Sequence, residues 1–350
     1  MNDSFWKGKS VFITGHTGFK GGWLAHWLYE LGAYVYGYSL EPLTRPNFFT
    51  ETHLSKRISQ SIIGDVRDIS ALSDAIHAAQ PEIIIHLAAQ SLVRMSYSTP
   101  VETFAVNVLG TVNVLEAARK VGTVKAIVNI TTDKCYVNNE WVWPYRENDR
   151  LGGHDPYAAS KACAEIVAAA YRASFLDNCN IHLASVRAGN VIGGGDWATD
   201  RLIPDFFRAF DAGKTLAIRS PNAVRPWQHV LEPLYGYLLL AEKLYTKGRE
   251  FAEAWNFGAN YEDSKPVSCI VDMLCARMPG ARWKTGSTLK VHEAGLLTLD
   301  SSKAKTQLGW VPRWDLGATL DKTIEWHQAW RNKADMAMIT SSQIQAYIKP

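Results

Sequence analysis

At 350 residues, 47% apolar and 20% charged, the chain is long enough for one large or two modest domains and too apolar for disorder. A formal net charge of +3 is too small to imply nucleic acid or an anionic membrane as partner. No apolar run approaches the ~20 residues that cross a bilayer, and MNDSFWKGKS at the N-terminus lacks a signal-peptide core. The five cysteines (135, 163, 179, 269, 275) have no zinc-ligand spacing, so a cytoplasmic protein with reduced thiols and no metal is expected.

The first strand signal, SVFITG, runs into VFITGHTGFKGG, where Gly15, Gly18 and Gly21 recur every third residue before a helical pattern over Gly21–Leu31. Glycine lets a backbone approach a pyrophosphate, whose charge then meets the helix N-terminus. Gly15, Thr17, Gly18, Phe19 and Gly21 are therefore candidate dinucleotide contacts. His16 and Lys20 are bulky for such a loop. His16 is expected either to crowd the diphosphate and weaken binding or, like Lys20, to point into solvent.

AYVYGYS is the second strand, and the acidic residue usual after it for ribose hydroxyls is replaced by Ser39. Arg45, downstream, leaves room for a 2′-phosphate, although NAD is the expected cofactor. SIIGDV follows, with Asp65 placed for an adenine amino group and Val66 beside it; Ile69–Ala79 reads as a helix. EIIIHLAA gives the fourth strand, and Leu87, Ala88 and Ala89 would let a cofactor lie close to the sheet edge. A helical pattern over Thr99–Val121 leads to AIVNITT, the strand that ends in the acid–base pair Asp133–Lys134.

In HDPYAASKACAE, Asp155 is expected to be the N-cap and Pro156 suits the first helical position of a helix over Pro156–Phe175. Tyr157 and Lys161, four apart, share a face, so the ammonium is expected to lower the phenol pKa and make Tyr157 a base for a substrate hydroxyl. IHLASVR is the sixth strand. Strands apolar on both faces, alternating with helices, call for a doubly wound parallel Rossmann sheet. Beyond Val186 glycine, proline and tryptophan thicken, which suggests a smaller substrate-binding lobe. The expected division is 1–186 with about 228–258 for the dinucleotide domain, and 187–227 with about 259–350 for the other lobe. The tail after Lys333 has weak periodicity and no evident role. Thirteen Trp are read as packing and sugar-side walls, and HEAGLLTLD has one His without metalloprotease spacing.

The glycine loop, HLAAQ, Asn107 in FAVNVLGT, NITTD, Tyr157-x-x-x-Lys161 and RAGNVIGGGD together resemble the extended short-chain dehydrogenase/reductase family. The resemblance implies that Thr132 holds the reacting sugar hydroxyl. Asp-Lys after that Thr is similar to one subgroup of the sugar-nucleotide 4,6-dehydratases. It implies oxidation at carbon 4 served by Tyr157, removal of the carbon 5 proton by Lys134, and protonation of the departing carbon 6 hydroxyl by Asp133. VRPWQHVLEPL, DRLIPDF and LDSSKAKTQLGWVP fit a subgroup acting on CDP-glucose. CDP-glucose is thus the expected substrate, in deoxysugar and O-antigen synthesis. Gln90, Asn190, Arg201 and Arg225 are the implied substrate contacts, while Trp227 and His229 are expected to support the fold. The family also implies a homodimer through two helices per subunit, with a tetramer allowed. The competing readings are a sugar-nucleotide 4-epimerase or reductase, for which Asp133–Lys134 would be incidental, and a non-enzymatic dinucleotide sensor.

Overall fold

The computed structural model describes residues 3–286 and 295–349. The first residues of HEAGLLTLD, 292–294, lie outside that range. In chain order the strands are β1 (Ser10–Thr14), β2 (Tyr34–Ser39), β3 (Gln60–Ile63), β4 (Ile83–His86), β5 (Ala126–Ile130) and β6 (His182–Ala188). There follow β7 (Asn190–Ile192), β8 (Leu216–Ile218), β9 (Val224–His229), β10 (Ala254–Phe257), β11 (Ser264–Pro266) and β12 (Trp283–Thr285). Seven of them make one parallel sheet in the order β10-β6-β5-β4-β1-β2-β3. Each of the six strands expected from apolar runs is present, and β10 adds the seventh.

Alternation along the strands feeds two cores. Ile13, Val35, Ile85, Val128 and Val186 face the helices Phe19–Glu30 and Leu231–Lys247. Phe12, Ile84, Ile127 and Leu183 face Ile69–Ala79, Gly110–Ala118 and Pro156–Tyr171. Each such Leu or Ile contributes about 1.5–3 kcal/mol on burial, which is why a strand apolar on both sides is stable only inside this sandwich. The register pairs Ile13 with Ile85 and Ile85 with Val128, so β1, β4 and β5 end level with one another.

β1 sits between β2 and β4, so the chain reverses direction across the sheet there, and a crevice opens outside the strands' carboxyl ends. A separate core (Ile203, Phe206, Ile218, Trp227, Ile270, Leu320 among its members) underlies a second lobe that closes over that crevice. The tail has a role that its sequence did not announce. Met336–Ile348 packs Met336, Ile344 and Tyr347 into the core beneath Phe19–Glu30, and Tyr347 meets Trp27 edge-on at 5.9 Å. Six of the thirteen Trp (6, 23, 27, 255, 310, 326) are among the largest fully buried side chains.

The long helix expected over Thr99–Val121 runs from Pro100 to Ala118 without interruption but is not α-helical throughout. Pro100–Phe104 passes into a π-turn at Ala105–Leu109 before Gly110–Ala118. The π-turn carries Asn107, whose Nδ2 donates to Ser160 Oγ (2.8 Å) and to the Gln90 carbonyl (3.0 Å). One extra residue per turn is the cost of aiming that amide at two neighbours.

Candidate active site

The crevice is a single cleft of about 980 Å³, lined from both lobes. Its floor is the glycine loop. A Cβ on Gly15 would stand 2.8 Å from the Ala88 nitrogen, and one on Gly21 would stand 2.0 Å from the Gly15 carbonyl oxygen, so both turns require glycine. Gly18, the N-cap of Phe19–Glu30, offers no side-chain cap, and the first turn holds no acid. The free N–H groups of that turn therefore face the cleft with the positive end of the helix dipole.

Thr17 lines the cleft, and its hydroxyl donates to the Leu40 carbonyl (2.8 Å) and accepts from Ser39 Oγ (2.8 Å). Asp65 lines the cleft with Val66, but Arg67 already occupies its carboxylate through Nε (2.9 Å) and Nη2 (2.5 Å), which holds its pKa below the ordinary value. Leu87, Ala88 and Ala89 line the adjoining wall, as expected. Arg45 is exposed and is not among the lining residues, although Thr44 before it is.

His16 corrects the sequence reading. It is buried under the loop, with Nε2 2.7 Å from Ser61 Oγ, and its ring fills the space where a Cβ on Gly37 would lie at 2.3 Å. Burial takes its pKa down to about 4. It neither crowds a diphosphate nor points to solvent. Lys20 also departs from expectation, because it lines the cleft. Burial first, then the charges of Arg201, Lys161 and Lys134, lower its pKa to about 8, while Asp133 works against them. In sequence the signal was there: a lysine in a loop position usually held by an apolar residue.

At the end of β5 the chain turns through a short 3-10 helix, Asp133–Cys135, capped by Thr132. The turn bends Asp133 and Lys134 inward, and both line the cleft. Asp133 is 1% exposed. Its Oδ1 accepts from Thr132 Oγ1 (3.0 Å) and from Lys134 Nζ (3.4 Å); its Oδ2 is buried without a partner among the described residues. Gly189, just past β6, keeps the space beside that oxygen clear, since a Cβ there would come within 3.3 Å of it.

Opposite, Asp155 caps its helix by accepting from Ala158 N (2.9 Å), and Pro156 sits in the first turn. Tyr157 and Lys161 are both buried in the cleft wall. Their expected electrostatics need correction. Lys161 Nζ donates to the Ile130 carbonyl (3.0 Å), and burial lowers its pKa to about 8. Burial drives the Tyr157 phenol up to about 12, while Thr132 and the Arg201 charge work to lower it; the Lys161 ammonium is not among the causes. A desolvated phenol needs a cation in contact to ionise, and Lys161 is turned to a carbonyl instead.

On the second-lobe side, Asn190, Arg201 and Arg225 all line the cleft. Arg201 pairs with Asp196 (2.9 Å) and donates to Ser91 Oγ (3.1 Å). Gln90 is not in the lining. Its amide closes its own loop, accepting from Leu92 N (2.6 Å) and donating to the Leu92 carbonyl and Thr103 Oγ1, so the expected substrate contact is not made by this side chain. Arg94 and Arg219, which sequence reasoning passed over, line the cleft and share Asp200 (2.5 and 2.9 Å). Only folding brings residues so distant in the chain onto one carboxylate. Trp227 lines the cleft while its Nε1 donates to the Lys265 carbonyl (3.1 Å), and buried His229 packs on Trp23 and Trp314.

A dinucleotide-binding oxidoreductase scaffold that also sets a carboxyl and an amine at one strand end defines a class: dehydratases that work through a transient oxidation. The profile of the GDP-mannose 4,6-dehydratase family matches residues 12–323. A curated CDP-glucose 4,6-dehydratase of Salmonella typhimurium is 52% identical over 99% of this chain and 98% of its own. A dTDP-glucose 4,6-dehydratase of Escherichia coli is 26% identical over 75% of this chain and 78% of its own. Among solved structures, DesIV, a dTDP-glucose 4,6-dehydratase from Streptomyces venezuelae with NAD bound, superposes with a TM-score of 0.77 at 25% identity, over 93% of this chain and 99% of that one. The chain belongs to the sugar-nucleotide 4,6-dehydratase family.

Proposed function

We propose that the chain converts CDP-glucose to CDP-4-keto-6-deoxyglucose and water, with NAD as its cofactor. One observation carries the reading: Asp133 and Lys134 line the same cleft as Thr132 and Tyr157, in a chain 52% identical to a CDP-glucose 4,6-dehydratase. NAD fits the residues present. Gly15 and Gly21 leave no room for a Cβ, Gly18 leaves the helix N-terminus bare, and Ala88 and Ala89 keep the wall low. Held there, the dinucleotide would supply hydride acceptance at carbon 4 and hydride return at carbon 6 of the sugar.

The remaining chemistry belongs to side chains. Tyr157 takes the carbon 4 hydroxyl proton, and Thr132 orients that hydroxyl. With carbon 4 oxidised, the carbon 5 proton becomes acidic and passes to the Lys134 amine. Asp133 protonates the departing carbon 6 oxygen. Asn190, Arg201 and Arg225 hold the nucleotide diphosphate, with Arg94 and Arg219 adding charge at the same end. Asp65, paired with Arg67, would stand at the adenine end of the cofactor.

The direct test is incubation with CDP-, dTDP-, UDP- and GDP-hexoses, read by mass. A product lighter by one water from CDP-glucose alone is expected; an unchanged mass with inverted carbon 4 would make the enzyme an epimerase. With Lys134→Met, solvent exchange at carbon 5 is expected to vanish while carbon 4 oxidation survives. Retained exchange would assign the base elsewhere.

We also propose a homodimer and a cytoplasmic setting. Val101, Leu109 and Ile166 are 83%, 57% and 57% exposed on the helical layer that carries Tyr157, an apolar surface that a second copy would cover. All five cysteines are free, and among the described residues no helix is long and apolar enough to cross a membrane.

A further inference from the structure

Away from the reacting groups, three charged side chains meet at the wall of the cleft. Arg94 stands on the short helix after β4, Val93–Ser98, and Arg219 directly follows β8. Asp200 lies in the loop between β7 and the helix Leu202–Asp211. All three line the cleft. The two guanidinium groups converge on one oxygen: Arg94 Nη1 lies 2.5 Å and Arg219 Nη1 2.9 Å from Asp200 Oδ1. Arg94 follows a strand of the large sheet and Arg219 a strand of the second lobe, so this carboxylate bridges the crevice. Arg201, the next residue, repeats the crossing by donating to Ser91 Oγ (3.1 Å).

Two guanidinium groups on one carboxylate oxygen make an anion site whose occupant is part of the chain. The planar fork of arginine matches phosphate as well as carboxylate, and a phosphate group brings further acceptor oxygens. The backbone also suits this occupant. Asp200 takes a left-handed conformation (φ 61), which Asp and Asn tolerate better than other side chains do.

Exposure decides how firmly the carboxylate is held. The side chains of Arg94, Asp200 and Arg219 are 34%, 40% and 27% exposed, against 3% for each partner of the Arg187–Glu165 pair. A pair this open to water is weak and can exchange partners, whereas the buried pair cannot be opened without a large penalty. What keeps Asp200 in place is its tether. Carried on its own loop, the carboxylate has an effective concentration of roughly millimolar or more, which a free ion must beat. A simple phosphate ion brings no other anchor. A nucleotide sugar does, because Asn190, Arg201 and Arg225 line the same cleft.

We propose that Asp200 sets which anions the cleft accepts: its carboxylate competes for Arg94 and Arg219, and a nucleotide diphosphate displaces it where a small anion does not. The residue is thus a specificity determinant that works against binding, and its removal strengthens the hold on every phosphate ligand. The proposal rests on the sugar-nucleotide reading above and deepens it.

The test uses NAD-loaded protein, so that the glycine loop is filled, with inorganic phosphate, inorganic pyrophosphate and CDP as calorimetric probes and CDP-glucose for turnover. Asp200→Asn keeps the left-handed backbone and removes the charge. Its affinity for pyrophosphate and CDP is expected to rise about five- to twenty-fold, the range of two exposed ion pairs. The KM for CDP-glucose should fall in step, CDP binding should become more salt-dependent, and inorganic phosphate should become a better competitor of CDP. Adding Arg94→Met and Arg219→Met to Asp200→Asn is expected to abolish the gain. Thermal unfolding of the same samples checks that each variant is folded. Weaker or unchanged binding in Asp200→Asn would overturn the proposal, because the carboxylate would then support the arginines in the complex instead of competing for them. A gain that survives the loss of both arginines would overturn it as well. A wild type that releases no water from CDP-glucose would overturn the substrate reading instead, and the pyrophosphate measurements would still judge Asp200.

Discussion

Gly189 shows how little space the chemistry leaves. A methyl group there would meet the Pro226 ring at 2.7 Å and Asp133 Oδ2 at 3.3 Å. Pro226, held in β9, leaves no room, so the backbone at residue 189 must shift and take up the space beside Asp133 Oδ2. Gly189→Ala is therefore expected to displace the carboxyl and lower kcat by about ten- to a hundred-fold, since sub-ångström to ångström misplacement of a reacting group costs that much. Dinucleotide affinity, measured by fluorescence quenching, should stay at the wild-type value. Lys20 is the converse case. It brings a cation into a cleft already holding Arg201, Lys161 and Lys134, at the start of the helix that receives the diphosphate. Removing it relieves repulsion in the ligand-free protein and removes an attraction from the complex. Lys20→Met should weaken NAD binding by roughly ten-fold, within the range of one charge-assisted hydrogen bond, and should flatten its salt dependence. Unchanged affinity at every salt concentration would give the ammonium to the hexose nucleotide.

The catalytic strand end and the Tyr157 helix are tied together at the level of elements. Glu165, one turn beyond Lys161, forms a bidentate pair with Arg187 of β6 (Nε–Oε1 3.0 Å, Nη2–Oε2 2.8 Å), both buried. The same pair grips each side of the acid–base turn. Thr131 Oγ1 donates to Glu165 Oε1 (2.5 Å), and Arg187 Nη1 donates to the Tyr136 hydroxyl (2.6 Å). Glu165→Gln would leave the guanidinium buried without its counter-charge, at about 3–5 kcal/mol. A lower midpoint in urea with an unchanged slope is the expected result. Burial pushes the Glu165 carboxyl upward, and the charge and hydrogen bonds of Arg187 outweigh it, so the net displacement is below the ordinary 4.5. The contribution is complete above that ordinary value and is lost as pH falls through the lower folded value.

Four buried histidines set the acid limit of the whole molecule. Burial takes His16 and His26 to about 4 and His86 and His229 to about 3, all from 6.5. The unfolded chain binds these protons first as pH falls below 6.5, so stability is full above that value and declines beneath it. Each group costs about 1.4 kcal/mol per pH unit in that window, and four together would exhaust a typical reserve of about 10 kcal/mol within roughly two units. A thermal midpoint falling steeply below about pH 5.5 is expected in a calorimetric pH series. A flat profile down to pH 4 would mean that these rings are protonated in the native state. Subunit association belongs to the same scale. Charge replacement at Val101 and Ile166 together should yield monomers by light scattering, and an unaltered mass would place the contact elsewhere.

How much of this was legible follows from the range of the forces involved. Strand and helix signals, the glycine turns, the Asp155–Pro156 helix start and the Tyr157–Lys161 spacing are local, set by sterics, capping and periodicity over a few residues, and sequence by itself determined them. The acid–base pair after β5 was legible too, because a strand end must open on the crevice of a doubly wound sheet. What only the tertiary structure decided is where side chains point once distant segments meet. His16 turned beneath its loop because Gly37 and Ser61 left a socket. Gln90 was consumed by Leu92 and Thr103, and Arg94 came to share Asp200 with Arg219. The ionisation of Tyr157 belongs with these. Spacing put Lys161 on its face of the helix, but a carbonyl of β5 took the ammonium and burial raised the phenol. Desolvation and charge pairing depend on everything within several ångströms, and that neighbourhood exists only after the chain has folded.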